Sequence, residues 1–262
     1  MADLFIKQAK EYQQTRPSYT PELLQFITSK TPNHDLVWDV GCGSGQAAIL
    51  LAGVYKNVVG TDTSEQQLSY ASKLPNIRYV QTPPNMPLSD LEHKVAAQET
   101  VDLVTVAQAL HWFDLPTFYE QVKWVLKKPN GILAVWCYIS PTVNEAVDTV
   151  FLKLYKASGP YWDQARKVVD DRYRNIDFPF EPVDGMDHTG PFEFVTERTM
   201  DLDDYLTYIR SWSAYQTAKT KGIELLSEDV IQNFERAWAL EDGNQKVVRY
   251  PVFLRIGKVW KD

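Results

Sequence analysis

The chain has 262 residues, 44% of them hydrophobic, with 34 acidic against 27 basic side chains and a formal net charge of −7. That length supplies a sizeable buried core, while the acidic balance argues against a surface that wraps DNA or RNA. Two distant cysteines, Cys42 and Cys137, exclude a disulfide framework and suit a reducing compartment. Met1 to Tyr12 carries Asp3, Lys7, Lys10 and Glu11, so it holds no signal-peptide core, and the longest uncharged apolar run, Gly131 to Ile139, is too short to span a bilayer. A cytoplasmic protein without nucleic-acid or membrane partners is expected.

Leu36 to Val40 reads as a short strand, followed by a glycine turn and a helical run from Gln46 to Val54. Asn57 to Thr61 is a second strand, and Ser64 to Ser72 a helix with Ser64 or Thr63 as its cap. Ile77 to Val80 and Val101 to Ala107 are the third and fourth strands, with a helix over Pro116 to Leu126. Gly131 to Cys137 is apolar on both faces, as buried parallel strands are. This alternation implies an α/β fold with a doubly wound parallel sheet and right-handed crossovers.

The second half loses that rhythm. Val143 to Ser158 is an amphipathic helix, and Arg166 to Arg174 continues helical. Pro191 to Thr199 alternates like a strand. Asp201 and Asp204 cap a helix running from Asp204 to Gln216, Ser227 to Ala239 forms another, and Val247 to Gly257 closes the chain as a strand in which Pro251 hints at a bulge or an edge. No repeat or linker marks a second domain. The expected layout is an N-terminal cap (1–35), a core (36–140), insertions with strand six (141–246) and a final strand (247–262).

The sharpest signal is Val37-Trp-Asp-Val-Gly-Cys-Gly-Ser-Gly-Gln46. Glycines at alternating positions after a strand let the backbone approach a ligand and turn into a helix N-terminus. The spacing is G-x-G-x-G, not the G-x-G-x-x-G of dinucleotide sites, and Asp39 ahead of it suits a ligand with an ammonium group. Asp62 follows the second strand about 20 residues on, where an acid can accept two ribose hydroxyls. A helix cap is the plainer role for such an aspartate.

Together, Asp39-Val-Gly-Cys-Gly-Ser-Gly45 and Asp62 resemble the class I S-adenosylmethionine-dependent methyltransferases, over about Val37 to Val135. Phe5 to Tyr12 with Arg16, Pro17 and Tyr19, the Ala109-Leu-His-Trp-Phe-Asp114 segment and the Pro251 to Val259 ending resemble the trans-aconitate methyltransferase-like branch, with its plant embryo-abundant-protein-like members. The resemblance implies a Rossmann-like, seven-stranded, mostly parallel sheet with helical cap insertions, its last two strands forming an antiparallel hairpin. It also implies S-adenosylmethionine as donor, with S-adenosylhomocysteine as product. Asp39, Gly41 and Gly43 would hold the methionine moiety, Asp62 the ribose, and Thr63 would flank the adenosine. Relatives place an acid near the adenine after strand three. Here that stretch reads Gln81 to Pro87 with no acid, and Asn85 offers an amide oxygen instead. Gln108 and Ala109 would pass beside the methionine part, and Tyr12 and Arg16 would cap the cofactor.

His111 and Trp112 follow the fourth strand at the sheet edge where α/β proteins bind ligands. His111 is expected to orient an acceptor or take its proton, with a structural role as the alternative; Trp112 packs either on the acceptor or in the core. The stripe Tyr205, Tyr208, Ile209 and Trp212 lies on one helical face, as core stripes do. From its neighbourhood Arg210, Trp212, Tyr215 and Gln216 are the candidate acceptor contacts, Arg210 as partner for a carboxylate. His34, His93, His111 and His188 have no metal-ligand spacing, so no metal is expected.

The expected function is methylation of a small molecule by a monomer or homodimer, most simply at a carboxyl oxygen, which is ionised at neutral pH and needs no base. N- or phenol-O-methylation with His111 as base, and a non-catalytic cofactor-binding protein, are the alternatives. A nicotinamide-dependent dehydrogenase stands further off.

Overall fold

The computed structural model describes residues 18–260. Helix α1 (Pro21–Ser29) begins where the Thr20 hydroxyl accepts the Leu23 amide and Pro21 takes the first turn, and it buries Leu23 and Ile27. Strand β1 (Leu36–Val40) leads through the glycine turn to α2 (Gln46–Ala52), and β2 (Asn57–Asp62) to α3 (Glu65–Ser69), capped by Ser64 through the Gln67 amide. After β3 (Ile77–Gln81) comes α4 (Leu88–Lys94), a short helix with a single buried residue, Leu91, and too little periodicity to announce itself. Then follow β4 (Leu103–Ala107), α5 (Leu115–Val125) and β5 (Ile132–Tyr138).

Beyond β5 lie α6 (Glu145–Ser158), α7 (Arg166–Asp170), β6 (Phe192–Met200), α8 (Leu202–Arg210), α9 (Ser213–Thr220), α10 (Glu228–Trp238) and β7 (Lys246–Lys258). The seven strands run in the order β3-β2-β1-β4-β5-β7-β6. The first five are parallel; β7 is antiparallel to both β5 and β6. Every residue of β5 is buried, Trp136 and Tyr138 packing on one face and Val135 and Cys137 on the other. The order reverses between β1 and β4, and their carboxyl ends splay apart there to leave a crevice. Among the described residues no helix is long and apolar enough to cross a membrane.

Three expectations need correction. The helix expected over Asp204 to Gln216 is two, because Trp212 is extended (φ −72°, ψ 141°) and the chain turns a corner at Ser211. Helix α7 ends at Asp170, before Arg172 and Tyr173, which adopt left-handed φ values of 59° and 56°. The nearly buried Arg255 of β7 holds that turn by donating to the Tyr173 carbonyl at 3.0 Å. Pro251 lies inside an interior strand: its carbonyl accepts the Ile139 amide, so the missing N–H faces the end of β5 and costs no bond to β6.

Candidate active site

The crevice between β1 and β4 opens into a cavity of about 630 Å³ roofed by the segments after β5. Its floor is mostly main chain. Gly41, Gly43 and Gly45 have φ values of 65°, 55° and 81°, conformations that favour glycine. A methyl group on Gly41 would sit 2.7 Å from the Ala109 side chain, so the turn and the loop after β4 close on each other with no room for a Cβ.

Asp62 ends β2 and faces this turn. Its Oδ2 accepts the Gly43 amide at 2.9 Å and its Oδ1 the Ser64 amide at 2.8 Å. Burial pushes its carboxyl up from the usual range, opposed by the amides of Ser64, Gly43 and Thr63. Each oxygen keeps acceptor capacity beyond those bonds. Asp39 is fully buried behind the turn and is not part of the cavity wall. Thr105 donates to it at 2.8 Å, yet burial, with Asp62 adding repulsion, pushes its carboxyl up to about 7.

Gln108 follows β4 with a left-handed φ of 62°. Its side-chain amide donates to the Tyr138 carbonyl at 3.0 Å and its side-chain oxygen accepts the Tyr138 amide at 2.9 Å. The side chain thus pairs with the end of β5 as a strand would, which fixes an unfavourable backbone conformation and turns the chain toward the cavity. His111 stands in the short helical turn that follows, its ring 4.5 Å from that of Trp112. Its Nδ1 is buried without a hydrogen-bond partner among the described residues. Burial first, and the Arg166 charge second, push its imidazole down to about 3, so it is neutral at physiological pH.

Gly41, Gly43, Asp62, Thr63, Asn85, Gln108 and Ala109 all line this one cavity, as do His111, Trp112 and Trp212. Arg210, Tyr215 and Gln216 do not. They serve the corner between α8 and α9, where Gln216 donates to the Arg210 carbonyl at 3.1 Å and the Tyr215 hydroxyl bonds Glu224. Tyr12 and Arg16 lie outside the described residues. Tyr19 packs edge-on against Trp136, 5.2 Å between ring centres.

The roof also contains Phe151 and Arg166, which sequence reasoning missed, the aromatics Tyr155 and Trp162 of the insertion after β5, and Tyr208 of the helical stripe. For Arg166 the hint was the run from Tyr161 to Arg166, an aromatic pair followed by an arginine in that insertion. Arg166 donates through Nε to Asp170 at 3.2 Å, and its guanidinium sits 4.7 Å from the Trp162 ring centre. Its side chain is 16% exposed. Burial works against the charge, but Tyr155, Asp170 and Tyr208 outweigh it and keep the guanidinium protonated.

A parallel sheet with a glycine turn at its switch point, an acid closing the next strand and a roofed cavity define a methyltransferase-type fold. Residues 38–135 match the model of a methyltransferase domain. A Dictyostelium discoideum protein named as a methyltransferase is 34% identical over 263 residues, 98% of this chain and 95% of its own length. CRG1 of Saccharomyces cerevisiae, named as an S-adenosylmethionine-dependent methyltransferase, is 30% identical over 240 residues, 79% of each chain. A solved structure from Anaeromyxobacter dehalogenans, described as a type II methyltransferase, superposes with a TM-score of 0.79 at 27% identity, covering 94% of this chain and 99% of that one. The chain belongs to the class I S-adenosylmethionine-dependent methyltransferases.

Proposed function

We propose that the protein methylates a carboxylate oxygen of a small organic acid. The observation that carries this reading is His111: it lines the cavity beside the loop after β4, yet burial and Arg166 hold its imidazole at about 3. A base that weak is roughly 7 units short of a phenol's proton. A carboxylate is already ionised and asks only to be aligned and kept from water. The resemblance of Ala109 to Asp114 to the trans-aconitate methyltransferase-like branch supports an acid acceptor as well.

The residues present fit the donor. The bare glycine turn, with no Cβ room at Gly41, admits the methionine moiety against main chain, and the spare acceptor sites of Asp62 suit a ribose diol. Thr63 flanks the adenosine and Asn85 stands at the adenine end. Asp39 lies behind the turn, where an ammonium group would draw its carboxyl, raised to about 7 by burial, toward the ionised form. Gln108, locked to Tyr138, and Ala109 hold the main chain against the methionine part. When bound, the donor supplies an electrophilic sulfonium methyl and leaves as the thioether of S-adenosylhomocysteine. His111 then serves as a neutral hydrogen-bond partner that orients the acceptor, Trp112 packs beside it, and the aromatic roof excludes water.

The test is methyl-labelled donor incubated with pooled carboxylic acids, phenols and amines, followed by mild base. Label released as methanol supports the ester. Base-stable label moves the assignment to nitrogen or phenol oxygen. Tight donor binding with no transfer to any pool favours a non-catalytic binder.

A further inference from the structure

The half of the cavity away from the glycine turn has a composition that restricts what it accepts. Phe151, Tyr155, Trp162, Tyr208 and Trp212 form a continuous aromatic wall there. Trp212 lies 5.5 Å from both Phe151 and Trp162, 5.9 Å from Tyr155 and 6.0 Å from Tyr208, centre to centre. Arg166 is the one lysine or arginine among the described residues of the cavity wall, whereas Asp62, Asp114 and Asp163 all contribute carboxylates to it. Asp170 occupies the Nε edge of Arg166 and is itself held by the Tyr155 hydroxyl at 2.8 Å. The guanidinium plane is thereby fixed, with the remaining donors of its fork on the terminal nitrogens.

We infer that the acceptor is a monoanionic acid with an apolar, ring-sized body, whose carboxylate is taken by Arg166 and whose body lies against the aromatic wall. This rests on the carboxyl reading above. A fork-shaped cation matches one carboxylate. A second or third carboxylate on the same molecule would find no further cation among the described residues of the wall, would lose its hydration against aromatic rings, and would meet Asp163 beside Trp162. An apolar body is favoured by the same surface, which buries rings well. Because the methyl ester is uncharged, it leaves Arg166 with Asp170 as its remaining charged partner, so the product is held less tightly than the acid.

The experiment is calorimetric titration of the full chain saturated with S-adenosylhomocysteine. The probes are aryl, alicyclic and straight-chain monocarboxylates of about six to twelve carbons, with 3-phenylpropanamide as the neutral isostere of 3-phenylpropanoate and propane-1,2,3-tricarboxylate as the polyanion. Expected is binding of at least one monocarboxylate, with its amide at least about tenfold weaker and the tricarboxylate weaker still. Arg166→Met is expected to weaken the acid by a similar factor and leave S-adenosylhomocysteine affinity unchanged. Tighter binding of the tricarboxylate, equal binding of acid and amide, or no monocarboxylate binding at all overturns the inference on wild-type protein alone, whatever the variant's stability. Arg166-dependent binding without ester formation would leave the anion subsite standing and remove the carboxyl reading. Ester formation on the tricarboxylate alone would do the reverse.

Discussion

The floor of the cavity is made largely of main chain at the ends of β1, β2 and β4, whereas its roof is made of side chains from α6, α7, α8 and the loops between them. On the floor, Gly41, Asp62 and Gln108 are each fixed by neighbours within the sheet, so the shape there is set by strand pairing. On the roof, Trp212 is placed by packing against neighbouring rings and Arg166 by Trp162 and its bond to Asp170, all of them side chains. A floor of backbone suits one fixed ligand; a roof of side chains can be exchanged without disturbing the sheet. The two sides should therefore respond to substitution in opposite ways.

The largest effect is expected at Trp212, which is 2% exposed and touches four aromatic rings. Trp212→Ala should cost about 3–5 kcal/mol of stability in denaturant unfolding. The folded protein should still bind the donor normally; a matching loss of donor affinity would break the separation of floor and roof. Next is Asp62→Ala, which removes acceptors from the proposed ribose site and from the Gly43 and Ser64 amides. Donor affinity by calorimetry should fall by about 1.5–3 kcal/mol, at least tenfold, and an unchanged constant would end the ribose assignment.

Gly41→Ala asks whether the floor is as rigid as it looks. The new methyl would meet Ala109 at 2.7 Å from a left-handed backbone, so a loss of about 1–2 kcal/mol in both stability and donor binding is expected. If thermal unfolding does not shift, the loop after β4 yields easily.

The smallest effects concern pH. With His111 titrating at about 3, the histidine should contribute no ionisation to single-turnover methyl transfer between about pH 5.5 and 8.5, where Asp39, raised to about 7, does titrate. A rising limb near neutrality that persists in Asp39→Asn would restore His111 as a base. Stability carries its own sign. The unfolded imidazole binds protons below 6.5 that the folded one refuses until about 3, so His111 lowers stability as pH falls through that window. Asp39 acts oppositely: its folded carboxyl keeps a proton up to about 7 against an unfolded 3.8, so stability falls as pH rises across that range. Asp39→Asn should remove that second slope in unfolding measured from pH 4 to 7.

Strands β1 to β5 and the glycine turn were legible because their signals are local: apolar runs of strand length, alternating glycines, and Ser64 in capping position. The roof was not, because its residues converge from distant stretches. Phe151, Tyr155, Trp162 and Arg166 meet Tyr208 and Trp212 only after β6 has carried the chain back. The helical stripe Tyr205, Tyr208, Ile209 and Trp212 correctly marked buried positions. It did not show that the helix stops at Ser211, and so placed Arg210, Tyr215 and Gln216 on the wrong side of a corner. The sequence offered Arg210 as the cation for the acceptor, whereas the arginine that lines the cavity is Arg166. The choice between them depends on the end of α7, where the left-handed Arg172 and Tyr173 and the grip of Arg255 carry no local signature.

Strand β7 follows the other six strands in the sequence, yet it lies between β5 and β6, and among the described residues β6 pairs with no other strand. During synthesis the five parallel strands have their partners in order, while β6 and the helices around it wait for a neighbour that does not yet exist. The floor with its glycine turn is therefore complete in principle long before the aromatic roof is anchored. A nascent chain stalled before Lys246 would present β5 as an open edge beside an unpaired β6, the pattern that chaperones shield and that invites pairing between chains.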